Sequence, residues 1–354
     1  MNTKKLVPVV LSILATFTVV AYLVCDGYND FVKVLADVRP KYLLWAMLAS
    51  AGTYVFVGLS LWEVLRLLGY RIQLGAVISI AFVSTTINYV VSSMGVSGFA
   101  LRAHLLRKRG VPFAQSVTTS VVISVLMYFI LAVIIMMGTV LLLIKSGGSK
   151  HEMVEGVAGA LMLLGICFGF AKAFFDHEFR YKWIRALWHG LNHIIYFFSG
   201  PLIPKESFIS FETQLEEGIL MIHSKKSKFT VAILCICGDW VFSILVLYMG
   251  FLAVGIKMPV GSLVAGFALG MVTTLIPVLP SGLGAMELTM SAIYANMGID
   301  WNEAFVACLI FRVAYYVVPS FLSIFIYWGL KLSEPLDLAE EKEAELNIIK
   351  GAAK

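Results

Sequence analysis

Four ionisable residues lie in or beside apolar runs: Arg102, Asp239, Glu287 and Arg312. A charge near the centre of a bilayer costs at least ~2.5 kcal/mol unless it is paired or hydrated, so each marks an internal ion pair or a wet cavity. Glu287 with Arg312, and Asp239 with either arginine, are the expected pairs. Such a set can hold a phosphate and a cationic group, take up protons, or supply a general base.

The helices that carry these charges are interrupted beside them. Pro277-Val-Leu-Pro280-Ser281-Gly282-Leu-Gly284 breaks one apolar block just before Glu287, and Asn88-Tyr-Val-Val-Ser-Ser-Met-Gly-Val-Ser-Gly98 closes another just before Arg102. Proline removes an amide donor, and amides freed at a helix start carry partial positive charge that suits an anion. Gly98, Pro280, Ser281, Gly282 and Gly284 are therefore candidate binding positions, with Asn88 lining the same cavity. Beyond the first break, His104, Arg107, Lys108 and Arg109 form a tract that would draw anionic headgroups, each base near such a surface being worth about 1 kcal/mol.

Other chemistry finds no support. His189 and His193 share a helix face, but no general-base Glu stands between them and their neighbours are Trp and Phe. Cys167, Cys235, Cys237 and Cys308 fall inside apolar runs, without metal spacing or an even disulfide framework. No nucleotide loop or nucleophile elbow occurs, so no catalytic residue, metal or cofactor is expected. A net charge of +5 is too mild for a nucleic-acid binder.

The elements that must position the four charges follow from composition. Of 354 residues, 60% are hydrophobic and 14% charged, and mean hydropathy is +0.89. No water-soluble core hides so much apolar surface, so the fold class is all-α and polytopic in a membrane, where every backbone polar group must be satisfied within a helix. Apolar blocks run over about 6–25, 42–68, 74–97, 113–144, 153–175, 229–255, 259–299 and 303–330. Six read as full spans, and the third and seventh as broken or re-entrant hairpins. With the amino terminus inside, this arrangement puts 17 Lys and Arg inside against 6 outside. A rival with eight full crossings gives 15 against 8, leaving both topologies open. In the hairpin topology, span two, hairpin and span four recur upside down as span six, hairpin and span eight, an inverted repeat of the kind that builds transporter sites. Residues 176–228 mix charge with aromatics and suit a cytoplasmic interfacial helix, within a transmembrane domain of residues 1–332. The charged tail 333–354 reads as solvated.

The run Pro280-Ser-Gly-Leu-Gly-Ala-Met-Glu287, the later Arg312 and the earlier Gly98-Phe-Ala-Leu-Arg102 resemble the lysylphosphatidylglycerol synthase transmembrane, or flippase-like, family over about residues 5–330. Ser281 stands where a glycine is usual in that family, and Met94 where a proline is common. The resemblance implies a multi-pass protein of the inner membrane, both termini cytoplasmic, similar to the flippase half of the multiple peptide resistance factor without its soluble synthase domain. It implies transport of an anionic or aminoacylated phospholipid, or of a polyprenyl- or isoprenoid-linked lipid. From the broken helices, Arg102 and Arg312 are expected to hold the phosphate, with Asp239 and Glu287 on a cationic headgroup or on protons. The alternative is an intramembrane enzyme, or an accessory subunit of one, that modifies a lipid headgroup. A membrane lipid is the expected partner, and a lipid-modifying enzyme or a second copy of the chain is left open.

Overall fold

A computed structural model describes residues 33–90, 96–146, 176–197, 205–224, 226–273 and 284–332, with isolated positions between 158 and 175. The expected spans at 6–25 and, for the most part, 153–175 lie outside the described residues, as do Pro280, Ser281, Gly282 and the tail. The first half comprises α1 (Pro40–Leu67), α2 (Leu74–Val90), α3 (Val96–Arg107) and α4 (Phe113–Ser146). Next come α5 (His177–Phe197) and α6 (Lys205–Ser224). The second half comprises α7 (Lys226–Ala253), α8 (Val260–Thr273), α9 (Ala285–Asn296), α10 (Trp301–Arg312) and α11 (Val318–Leu332). A π turn, Val313–Val317, joins the last two into one rod. Among the described residues, four helices are long and apolar enough to cross a membrane: α1, α4, α7 and the α10–α11 rod.

The two broken blocks fold back on themselves. In the first, Gly98 lies against Asn88 and Ser84, and Arg102 reaches Ser84. In the second, Tyr294 Oη donates to the Leu263 carbonyl at 2.8 Å, and Gly266 and Gly270 take up Tyr294 and Met290. Over their described residues, at the helical rise, the arms reach about 18 to 26 Å, less than the ~30 Å hydrocarbon core.

Antiparallel packing of α1 on α7 organises the molecule. The side chain of Phe242 fills the space a Cβ at Gly52 would need, and Phe56 does the same at Gly238. The two rings meet at 5.3 Å. Each contact is the other's copy, as at a two-fold axis crossing the helices. The interval from Gly52 to Gly238 also separates Phe56 from Phe242, Gly69 from Gly255, Gly75 from Gly261 and Gly98 from Gly284. Gly69 and Gly255 have φ of 91° and 90°, a left-handed turn that glycine adopts without strain, after α1 and α7 respectively. The inverted repeat is thus present in the register as well as in the order of elements.

Two apolar cores place the hairpins at opposite ends. One joins α2 and α3 to the carboxyl-terminal half of α1 and to Val122 and Ile123, early in α4. The other joins α8 and α9 to Ala46 and Ala49 of α1 and to Leu131, Ile134 and Ile135, later in α4. The stretch expected to hold an interfacial helix carries two helices, α5 and α6, with Pro201 and Pro204 in the intervening sequence. Trp188 of α5 stacks on Phe208 of α6 at 5.0 Å, and α6 docks on α4 where Gln115 Nε2 donates to the Gln214 carbonyl at 2.7 Å.

Candidate site where the hairpins meet

The described inner ends of the two hairpins, at Tyr89 and Met286, converge on the π turn. Tyr89, at the end of α2, packs edge-on against Tyr316 at 4.6 Å between centroids. Tyr316 Oη in turn lies 4.0 Å from Met286 Sδ, at the start of α9. Tyr89 Oη and Tyr315 Oη are 3.2 Å apart. The turn itself has a local cause. Pro319 has no amide for the carbonyl four residues earlier, Tyr315, and its ring crowds that carbonyl. The backbone widens, and the Val318 amide bonds to Val313 instead. π turns of this kind recur at functional sites.

Beside this junction lies the expected ion pair. Arg312 Nε donates to Glu287 Oε1, with the residues only 6% and 4% exposed. The Arg312 guanidinium also lies over the Tyr316 ring, 4.4 Å from its centroid. Glu287 Oε2 accepts the Gly284 amide at 2.9 Å, satisfying a donor at the start of α9. One carboxylate thereby fixes both the helix start and the arginine.

Asp239 stands at mid-height, in the part of α7 between the two cores. It is 2% exposed, and its Oδ1 has no hydrogen-bond partner. The expected pairing with an arginine does not occur: Arg312 is engaged by Glu287, and Arg102 Nε donates to Ser84 Oγ at 3.1 Å within its own hairpin. No ion pair between Arg102 and a carboxylate is found among the described residues.

Two of the glycine amides expected to face an anion, those of Gly98 and Gly284, are already used. Asn88 Oδ1 accepts the Gly98 amide at 2.7 Å, in the place that Glu287 takes for Gly284 in the other half. Asn88 and Glu287 thus play matching parts in the two repeats. The basic tract lies apart from this centre, at the outer end of the first hairpin. Arg107 borders a cleft of about 600 Å³ with Phe113, Ser210 and Gln214, and Arg109 a cleft of about 390 Å³ with Gln73, Ser79 and Gly329. His104 is exposed, and Lys108 is half-buried.

Sequence reasoning passed over four tyrosines, Tyr54, Tyr89, Tyr315 and Tyr316, which surround the buried charges. The signal available was the Tyr315-Tyr316 pair just before Pro319 in an apolar run.

The sequence matches known proteins. A profile of the lysylphosphatidylglycerol synthase transmembrane region matches residues 7–323. The chain belongs to that family. Among its relatives, a UPF0104 membrane protein of Methanothermobacter thermautotrophicus is 26% identical over 130 residues, 36% of this chain and 37% of the relative. A phosphatidylglycerol lysyltransferase of Staphylococcus epidermidis is 28% identical over 88 residues, 25% of this chain and 10% of the relative. A second lysyltransferase, from Staphylococcus aureus, is 26% identical over 88 residues. The matched segments therefore span well under half of each of these relatives. As a member of the lysylphosphatidylglycerol synthase transmembrane-region family, the chain is a multi-pass helical membrane protein.

Proposed function

We propose that the chain moves an anionic lipid, a phospholipid or a polyprenyl-linked lipid, between the leaflets of the cytoplasmic membrane. The observation that carries this reading is the meeting of two half-length hairpins, from opposite ends of an inverted repeat, on a buried acid–guanidinium centre. Repeats that rock about a midplane site provide alternating access. Arg312, held in place by Glu287, receives the phosphate. Arg102 and the basic tract His104, Arg107, Lys108 and Arg109 guide the headgroup toward it, and the acyl chains stay in the bilayer. Gly98, Asn88 and Gly284 shape the inner ends of the hairpins, and Pro280, Ser281 and Gly282 are proposed to take part in binding. The names of the staphylococcal relatives refer to phosphatidylglycerol, which makes that lipid the first to try. The distribution of bases supports cytoplasmic termini.

The test is transfer of fluorescent phosphatidylglycerol between leaflets of proteoliposomes. Wild type is expected to exchange the leaflets, with Arg312→Ala and Glu287→Ala losing most of the rate. Unchanged transfer in both variants would reject these roles.

The bare Asp239 oxygen favours a second reading, an enzyme or accessory subunit with Asp239 as general base in headgroup modification. Lipid extracts from cells lacking the gene separate the two. Loss of a chemical species points to the enzyme, and an intact species confined to one leaflet points to transport.

A further inference from the structure

We propose that Asp239 is the proton-binding group that couples lipid movement to the proton gradient, at one proton per cycle. This inference rests on the transport reading above and adds its driving ion.

Asp239 is 2% exposed, and its Oδ1 meets no donor. Among the described residues, the titratable side chains close enough to feel its charge come from three elements: Tyr54 of α1, Tyr89 of α2, and Tyr315 and Tyr316 of the π turn. All are phenols, and their hydroxyls are directed elsewhere. Tyr54 donates to the Tyr315 carbonyl, Tyr89 and Tyr315 pair with each other, and Tyr316 turns to Met286. The nearby Arg312 is bound to Glu287 and stacked on Tyr316, and Arg102 is held by Ser84. Among the described residues Oδ1 meets no donor and the side chain no cation, and a charge buried in that state is costly. Ionisation requires water to reach it, which happens when either hairpin parts from the π turn. Protonation from one side discharges the group and permits closure, and opening to the other side releases the proton.

Glu287 is unsuited to that duty, because both of its oxygens are committed, to Arg312 and to the Gly284 amide. The repeat also sets the stoichiometry. Thr53 follows Gly52 as Asp239 follows Gly238, so the equivalent position in the first half carries a hydroxyl that donates to the Ala49 carbonyl and does not titrate.

The test reconstitutes the full chain with fluorescent phosphatidylglycerol and imposes pH gradients at clamped membrane potential. One-proton coupling predicts a steady-state leaflet ratio that shifts by about tenfold per pH unit. Asp239→Asn, which keeps the shape of the acid, is expected to abolish that shift whatever its absolute rate. In parallel, the carboxylic-acid carbonyl stretch seen by infrared spectroscopy at neutral pH should disappear in Asp239→Asn. A leaflet ratio that ignores pH, follows sodium instead, or keeps its shift in Asp239→Asn overturns the coupling alone, as does an infrared band unaffected by the substitution. Failure of wild type to move lipid under any condition overturns the transport reading and the coupling with it.

Discussion

Tyr54 Oη lies 2.8 Å from the Tyr315 carbonyl, the oxygen that Pro319 leaves without an amide partner. A side chain of α1 thereby replaces a backbone bond missing from the α10–α11 rod. The π turn can persist in an apolar setting because this hydroxyl arrives from the other half of the repeat. Removing it as Tyr54→Phe strands a buried carbonyl and should destabilise the protein by about 1 to 3 kcal/mol. In a Pro319→Ala background the amide returns, and the same substitution should lose most of its effect. Thermal unfolding in detergent of the two singles and the double decides this, and equal losses in both backgrounds would reject the account.

Separating Glu287 from Arg312 should be severe. Glu287→Gln or Arg312→Met leaves a buried group uncompensated and should cost about 3 to 5 kcal/mol. The double variant Glu287→Gln with Arg312→Met should be more stable than either single, while lipid transfer stays lost in all three. A double variant as unstable as the sum of the singles would show that the two side chains act separately.

Gly52→Ala and Gly238→Ala should behave alike. Each methyl would meet the ring of the opposite phenylalanine, Phe242 or Phe56, and overpacking of this kind costs about 1 to 3 kcal/mol. Chemical-denaturation midpoints measured side by side test the two-fold relation. A large loss in one variant with none in the other would argue that the contacts are not equivalent.

Thiol labelling reads the sidedness of the hairpins. In a background without native cysteines, a cysteine replacing Lys108, beyond α3, should react with a membrane-impermeant maleimide from the cytoplasm. One replacing Asn296, at the end of α9, should react from outside. Reaction of both from one side would exclude the opposed arrangement.

Local features of the chain were enough for the four spans found among the described residues and for the two-armed form of the blocks around Gly98 and Gly284. Apolar length near Tyr54 or Phe129 demands a helix, and the glycines at 98 and 284 stand where one is broken, because hydropathy and backbone restriction act within a few residues. Glu287 and Arg312 were legible as partners because two unlike charges in apolar blocks have few other ways to be accommodated. The solitary state of Asp239, the tyrosine cluster and the exchange of Phe56 and Phe242 were not legible. Each depends on which residue of a distant helix arrives at a given height, and that is set by the antiparallel register of α1 on α7. The sequence by itself determined which of the described segments form long apolar helices and which blocks divide into two arms. Only tertiary packing decided which charges would be neutralised and which would be left bare, because burial and pairing are properties of neighbours brought together from both halves of the chain.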